Sequence, residues 1–443
     1  MVKVITYGTY DLLHHGHIKL LERAKALGDY LIVGVTADDF DKTRGKINVQ
    51  QSLMERIEAV RATGLADKII VEEYEGQKID DIQRYDIDIF TVGSDWEGKF
   101  DYLKEFCEVV YLKRTEGISS SELRENLNPV IRLGIVGIQN PAERVLKECK
   151  YVSGLEVIGI FKDGNSETEL CEKYNLKKYQ TLVEMLKDVD AVYISAMITE
   201  HEKLICDALE NNCHVLCESP IFLSEREAIS MFDLAKSRKL VLFEAIKTLF
   251  FPAFEHLLLI VNSGMIGSVR DMEIACSNIP DDMEKVNEEK YQGSMYDWGS
   301  IALAPIIKML GTEYKNCTLY DYEKNGYNYF TKGTLEYEHA TATFKIGKGI
   351  KTEGHMVITG TKGYIYVPAP WWKIDYFEIR YEDLRSTKKY FFQYDGEGFR
   401  YELLEFVKMM NHGGTENDMY SRKEMEAIIK VIEKFDQEDV RKM

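Results

Sequence analysis

The 443-residue sequence has no apolar run long enough to cross a membrane. It has no excess of positive charge either. Asp and Glu number 74 against 56 Lys and Arg, a formal net charge of −18. That balance argues against a nucleic-acid partner and against an anionic membrane surface. It leaves room for a nucleotide ligand, which needs only a local basic pocket. No leader segment is expected, because Met1 runs directly into a strand-like stretch. Clustered cysteines are missing. The eight cysteines are scattered, and the closest pair, Cys213 and Cys217, is too little for a metal site. Reduced thiols in the cytoplasm are the expectation. Short internal repeats and low-complexity tracts are lacking as well.

What is present is a long chain of ordinary globular composition, 45% hydrophobic and 29% charged. Its length exceeds one typical core, so two or three domains are expected. The segment Gly8-Thr9-Tyr10-Asp11-Leu12-Leu13-His14-His15-Gly16-His17 carries the most information. It follows an apolar run at 2–7 and opens a helical pattern at 18–27. This places His14 and His17 at a helix N-terminus, where backbone N–H groups and the helix dipole favour phosphate. Gly16 permits close approach of a phosphate to the backbone. Each histidine can donate to phosphoryl oxygens without acting as a base. Such a site suits nucleotidyl transfer, in which positioning and charge stabilisation carry the catalysis.

The fold class expected is α/β. Strand-like runs at 2–7, 30–36, 68–71, 87–92 and 108–112 alternate with helical patterns such as 51–62 and 78–85. Active-site loops are then expected at the strand C-terminal ends. A last helix at 119–125 runs into the linker-like Asn126-Leu127-Asn128-Pro129. A second α/β pattern starts at Arg132-Leu133-Gly134-Ile135-Val136-Gly137, with strand runs at 156–161, 191–195, 214–217 and 241–244. Beyond Lys247 long β-prone segments appear at 341–346, 355–360, 363–367 and 389–393, then helical patterns at 400–410 and 422–435.

The ten-residue string, together with Gly93-Ser94-Asp95-Trp96 and Arg114-Thr115-Glu116-Gly117-Ile118-Ser119-Ser120, resembles the cytidylyltransferase family over residues 1–127. Within that family it is similar to the bacterial glycerol-3-phosphate cytidylyltransferases. The resemblance implies a Rossmann-like nucleotidyltransferase domain that converts CTP, with Mg2+, and a polyol phosphate to a CDP-polyol and pyrophosphate. Such products feed cell-envelope polymers. His14, His17, Lys46 and Arg114 would be catalytic. Gly8, Thr9, Tyr10, Asp11, Gly16, Arg44, Asp95, Trp96, Thr115, Ser119 and Ser120 would bind the nucleotide, with Asp11 an indirect candidate for the metal. Arg44 stands where the family pattern has a lysine. Arg61 is the nearest counterpart of an arginine expected before the third strand, and a tryptophan expected near Tyr74 is absent.

From residue 131 the chain resembles the glucose-fructose oxidoreductase and inositol dehydrogenase superfamily. The carrying residues are Gly134-Ile135-Val136-Gly137, Glu218-Ser219-Pro220, Glu244-Ala245-Ile246-Lys247, Asp297-Trp298-Gly299 and Gly398-Phe399-Arg400-Tyr401-Glu402. The resemblance implies a dinucleotide-binding Rossmann domain over 131–247. It also implies a C-terminal α/β domain with a large open sheet over 248–443, a homo-oligomer, most simply a dimer, and NAD(P) as cofactor. The signature is eroded. Gln139 stands where a second glycine is expected, Lys162 where an acidic ribose ligand is expected, Ser219 in place of a lysine and Ile301 in place of a histidine. Gly137, Gln139, Lys162, Glu218, Lys247 and Asp297 are the candidate dinucleotide site. Lys162 reads either as a partner for a 2′-phosphate or as a solvated strand end, and Asp297 as catalytic or as a helix cap. Weak nicotinamide binding is the expectation, with Lys247 the best remaining proton donor. The leading reading is a cytidylyltransferase with an oxidoreductase-like second half. The alternatives are a bifunctional enzyme whose second half reduces a keto-sugar or ketose, and a non-catalytic scaffold.

Overall fold

The computed structural model describes residues 1–37, 49, 51–74, 76–113, 130–138, 142–162, 168–280, 290–394 and 396–443. It forms two compact units, Met1–Pro129 and Val130–Met443.

The first unit is a five-stranded parallel sheet. Its strands are β1 (Lys3–Gly8), β2 (Tyr30–Thr36), β3 (Lys68–Glu72), β4 (Ile89–Gly93) and β5 (Glu108–Leu112), in the order β3-β2-β1-β4-β5. Alternate side chains of β1 and β2 enter different cores, as the two-residue strand period requires. Val4, Leu31 and Val33 pack with Leu21, Ala24, Ile57 and Val60 on one face. Ile5, Ile32 and Phe90 pack with Ile82 and Leu103 on the other. Both faces are covered, which is why these strands read as continuous apolar runs. The helix His15–Lys25 starts immediately after the β1 loop, and the helix Leu53–Ala62 is started by a capping box between Ser52 and Glu55. The strand order reverses at β1, so β1 and β4 diverge at a topological switch point. The helix expected at 119–125 lies outside the described residues.

The second unit begins with a six-stranded parallel sheet, in the order β11-β10-β9-β6-β7-β8. Its strands are β6 (Ile131–Val136), β7 (Leu155–Phe161), β8 (Lys177–Tyr179), β9 (Ala191–Ile194), β10 (His214–Glu218) and β11 (Leu242–Ala245). A nine-stranded mixed sheet follows, in the order β19-β18-β17-β16-β12-β15-β14-β13-β20. It is built from β12 (Val269–Asn278), β13 (Asn316–Lys324), β14 (Tyr327–Glu336), β15 (Thr341–Lys348), β16 (Met356–Gly360), β17 (Tyr364–Val367), β18 (Tyr376–Arg380), β19 (Lys388–Phe391) and β20 (Arg441–Lys442). The β13–β14 hairpin turns at Asn325-Gly326, both with positive φ (56° and 81°), as a tight hairpin turn demands. The buried helix Ser294–Leu310 packs on β12, β14 and β15, and the helix Arg422–Asp436 packs on it in turn.

Candidate functional site

In the first unit β1 ends at Gly8, and the chain crosses the C-terminal edge of the sheet before entering the helix at His15. A Cβ at Gly8 would stand 3.0 Å from the Tyr10 ring, so a larger residue here would have to push the ring aside. Tyr10 and Leu12 both have positive φ, 55° and 47°. Non-glycine residues rarely adopt this conformation, and it persists where surrounding contacts over-determine it. Those contacts are visible. The Asp11 Oδ1 accepts from the Gln51 backbone N–H at 3.0 Å, and the Leu12 N–H donates to the Gln51 Oε1 at 2.7 Å. Arg56, fully buried, donates to the carbonyls of Thr9 (2.7 Å), Thr36 (2.8 Å) and Gln51 (3.1 Å).

His14 is the helix N-cap. Its Nδ1 accepts from the Gly16 N–H at 3.1 Å. An accepting Nδ1 leaves the proton of the neutral ring on Nε2, so His14 presents an N–H donor from its far edge. The His14 and His17 rings stack with centroids 3.9 Å apart, and the Tyr10 ring meets His17 edge-on at 5.5 Å. Two imidazoles and the first-turn N–H groups are thus gathered at one helix start, an arrangement able to receive adjacent phosphates. Asp95 and Trp96 sit in the turn Ser94–Trp96 directly after β4, the strand beside β1. The Lys99 ammonium lies 5.0 Å from the Trp96 ring centroid. Arg44, Lys46, Arg114, Thr115, Ser119 and Ser120 fall outside the described residues.

Sequence reasoning missed a buried polar network at the ends of β2 and β3. Lys78 pairs with Glu72, and Glu72 also accepts from the Thr36 hydroxyl at 3.0 Å. Tyr7 donates to Asp81 at 2.9 Å, and Gln77 donates to the same carboxylate at 3.0 Å. Burial and Asp81 push the Tyr7 phenol well above its ordinary range. The sequence does hold a signal: Gln77, Lys78 and Asp81 occupy the buried stripe of the helix Gln77–Tyr85, where apolar residues are the rule. Arg61 is an exposed partner of Glu58; the buried arginine of this region is Arg56.

The second unit contains a cavity of about 560 Å3 at the C-terminal ends of β9, β10 and β11. The helix Ser294–Leu310, the end of β15 and the helix Phe399–His412 close it. Glu218, Lys247 and Asp297 all line it. Gly137 (φ 82°) and Lys162 lie at strand ends of the same sheet but are not among its described walls. A Cβ at Gly137 would stand 2.2 Å from the Ser195 carbonyl oxygen, so glycine is required for the β6 turn to pass this strand end. Gln139 is outside the described residues. Asp297 does not cap its helix. The helix starts at Ser294, and Asp297, in its first turn, pairs with Lys348 at 2.7 Å. Burial raises the Asp297 carboxyl against the opposing pull of Lys348. Burial likewise pushes Glu218 up to about 8 and Lys247 down to about 8.

Residues 5–126 match the family model described as cytidylyltransferase-like, and residues 131–246 match that of the oxidoreductase family with an NAD-binding Rossmann fold. The glycerol-3-phosphate cytidylyltransferase of Bacillus spizizenii is 52% identical over 127 residues, which is 29% of this chain and 98% of that protein. The enzyme of the same name from Staphylococcus aureus is 50% identical over 131 residues, 29% of this chain and 96% of its own. The second unit resembles a 3-ketoreductase from Actinomadura kijaniata, solved with NADP and TDP-benzene. The TM-score is 0.63 at 19% identity, over 71% of this chain and 99% of that one. That likeness is one of fold. Through its first 127 residues the chain belongs to the cytidylyltransferase family.

Proposed function

We propose that the first unit transfers the cytidylyl group of CTP to a polyol phosphate, glycerol 3-phosphate foremost, releasing pyrophosphate. The observation that carries this reading is the stacked His14–His17 pair at a helix start on the sheet's C-terminal edge. It lies in a segment half identical to two glycerol-3-phosphate cytidylyltransferases. The acceptor's phosphate oxygen attacks the α-phosphorus of CTP, and the bond to the β,γ-pyrophosphate breaks. Charge grows on the α-phosphoryl oxygens and on the leaving group. His14 Nε2–H, His17 and the first-turn N–H groups are the donors that strengthen as it grows. The Thr9 hydroxyl and the Asp95–Trp96 turn would contact the nucleotide. Arg56, with Asp11 acting through Gln51, holds the loop in this shape.

No group of three or more metal-ligating side chains gathers among the described residues, and Asp11 is committed to the Gln51 backbone. Mg2+ would enter bound to the triphosphate. In the second unit the cavity lies at the strand ends where open α/β sheets bind ligands, and Gly137 keeps the β6 turn narrow. These residues fit a nicotinamide dinucleotide, which would supply hydride chemistry when bound. Among the described residues no helix is long and apolar enough to cross a membrane; a cytoplasmic homodimer is the setting proposed. Radiolabelled CTP incubated with a panel of polyol phosphates tests the assignment. Labelled CDP-glycerol with equimolar pyrophosphate is expected, and no transfer to any member of the panel would refute it.

A further inference from the structure

One wall of the second-unit cavity is gripped from outside by a short stretch of chain, residues 436–443. Tyr291, Gln292, Tyr296, Asp297, Trp298 and Ile301 form that wall. They belong to the first turns of the helix Ser294–Leu310 or stand just before it. Asp436, the last residue of the helix Arg422–Asp436, holds the wall on both sides of Ser294. Its Oδ1 accepts from the Tyr296 hydroxyl at 2.8 Å and pairs with the Lys290 ammonium at 2.9 Å. The Tyr296 ring in turn meets the Tyr291 ring edge-on, with centroids 5.2 Å apart.

Further along, the same stretch grips the wall again through a relay. β20 lies parallel to β13, and the Met443 N–H donates to the Asp321 carbonyl at 2.8 Å. The Lys442 ammonium thereby reaches the Asp321 Oδ2 at 2.8 Å and the Glu323 Oε2 at 2.6 Å. Asp321 is 1% exposed, and its Oδ1 accepts from the Asn328 Nδ2 at 2.5 Å. The amide of Asn328 is thus oriented: its N–H faces the carboxylate, and its oxygen faces the helix start. That oxygen accepts from the Ser294 hydroxyl at 2.6 Å and from the Met295 N–H at 2.8 Å. A buried carboxylate needs a paired cation. Here the cation is supplied from the surface, because the Lys442 side chain is half exposed. Between the two grips the chain turns through Glu438 at φ 60°. A non-glycine residue holds that conformation where contacts on either side over-determine it.

We propose that residues 436–443 are a latch on the second-unit cavity, with Lys442 and Asp436 as positioning residues for its wall. In the closed state both grips hold the wall at 290–301 in the arrangement seen here. In the open state Lys442 leaves β13, Asp321 loses its cation, Asn328 follows the carboxylate toward water, and the helix start loses its anchor. Only the closed state presents the wall to a ligand, so apparent affinity falls with the closed fraction. The latch works through residues that do not touch the ligand. Asp321, Asn328 and Lys442 lie outside the cavity lining.

Hydrogen exchange on the full chain, followed by mass spectrometry without any ligand, reads the latch directly. Lys442→Met removes the cation and leaves the backbone of β20 able to pair. Amides at 290–301 should then exchange about tenfold or more faster, while those of β12 and β15 keep their rates. Glu323→Gln leaves the Lys442–Asp321 pair intact and should change neither. Adding Asp321→Asn to Lys442→Met removes the stranded charge and keeps an acceptor for Asn328, so protection should return. Unchanged exchange at 290–301 in Lys442→Met, equal acceleration across the whole second unit, or no return of protection in the double variant overturns the proposal. A second measurement is calorimetric affinity for NADP+ and NAD+. Lys442→Met combined with Asp436→Ala undoes both grips and should weaken binding about threefold or more; unchanged affinity overturns the latch. This measurement alone rests on the dinucleotide reading given above. If the unaltered chain binds neither nucleotide, that reading fails, and the exchange experiment still decides the latch.

Discussion

His14 and His17 occupy one turn of chain, and their rings stack at 3.9 Å because the N-cap bond from the Gly16 N–H fixes the first ring. His14→Ala or His17→Ala should lower kcat for cytidylyl transfer by about 10² to 10³, the usual loss when one preorganised donor to a developing anion is removed. CTP affinity should fall less, and a pyrophosphate-release assay on each variant measures both. Glu218 is informative in a different way. Burial raises its carboxyl from about 4.5 to about 8, so between those values the folded chain holds a proton that the unfolded chain releases. Its contribution to stability is fully present below 4.5 and is lost as the pH rises to 8. The urea midpoint of the second unit should therefore decline between pH 5 and pH 8 (about the window set by that shift), and Glu218→Gln should flatten the decline. These residue types were legible in the sequence. The burial of the Glu402 Oε2 without a hydrogen-bond partner was not, because nothing local marks a glutamate in a first helical turn as facing a cavity rather than solvent.

Whole elements were legible wherever burial was two-sided. The five strands of the first unit fall on the apolar runs at 2–7, 30–36, 68–71, 87–92 and 108–112, shifted by no more than a residue or two. The strands Val269–Asn278, Asn316–Lys324, Tyr327–Glu336 and Tyr376–Arg380 were not anticipated. They carry charged and hydroxyl residues on an open face, so their apolar alternation is diluted, although Asn325-Gly326 is a hairpin signal in plain view. The N-terminus of the helix Ser294–Leu310 is anchored by β14, where the Asn328 Oδ1 accepts from the Ser294 hydroxyl and the Met295 N–H. Between elements, the helices Ala142–Cys149 and Phe399–His412 are joined by a buried two-point ion pair. Arg400 donates to Glu148 at 2.8 and 3.2 Å, and both residues are under a tenth exposed. Glu148→Ala strands the Arg400 cation, so unfolding of the second unit should need about 3–5 kcal/mol less. Chemical denaturation followed by tryptophan fluorescence measures it, since all four tryptophans except Trp96 lie in that unit.

At the scale of the molecule, the chain divides at Pro129 into two compact units, each with its own sheets. A fragment ending there should fold and retain cytidylyl transfer, because the His14–His17 loop and its braces, Gln51 and Arg56, lie within it. Circular dichroism and product formation from CTP and glycerol 3-phosphate measure this; an inactive, unfolded fragment would show that the second unit is needed. The sequence by itself determined the two α/β halves, the position of the histidine loop at a helix start and the family of the first unit. All three rest on local signals: strand period, helix start and a contiguous motif. Only the tertiary structure decided that Arg56 rather than Arg61 is the buried arginine, that Lys78 and Glu72 pair beneath the sheet edge, and that Lys247, Glu218 and Glu402 line one cavity. Those meetings join residues far apart in the chain. Their chemistry comes from desolvation, which depends on what packs around a group and leaves no mark in the residues beside it.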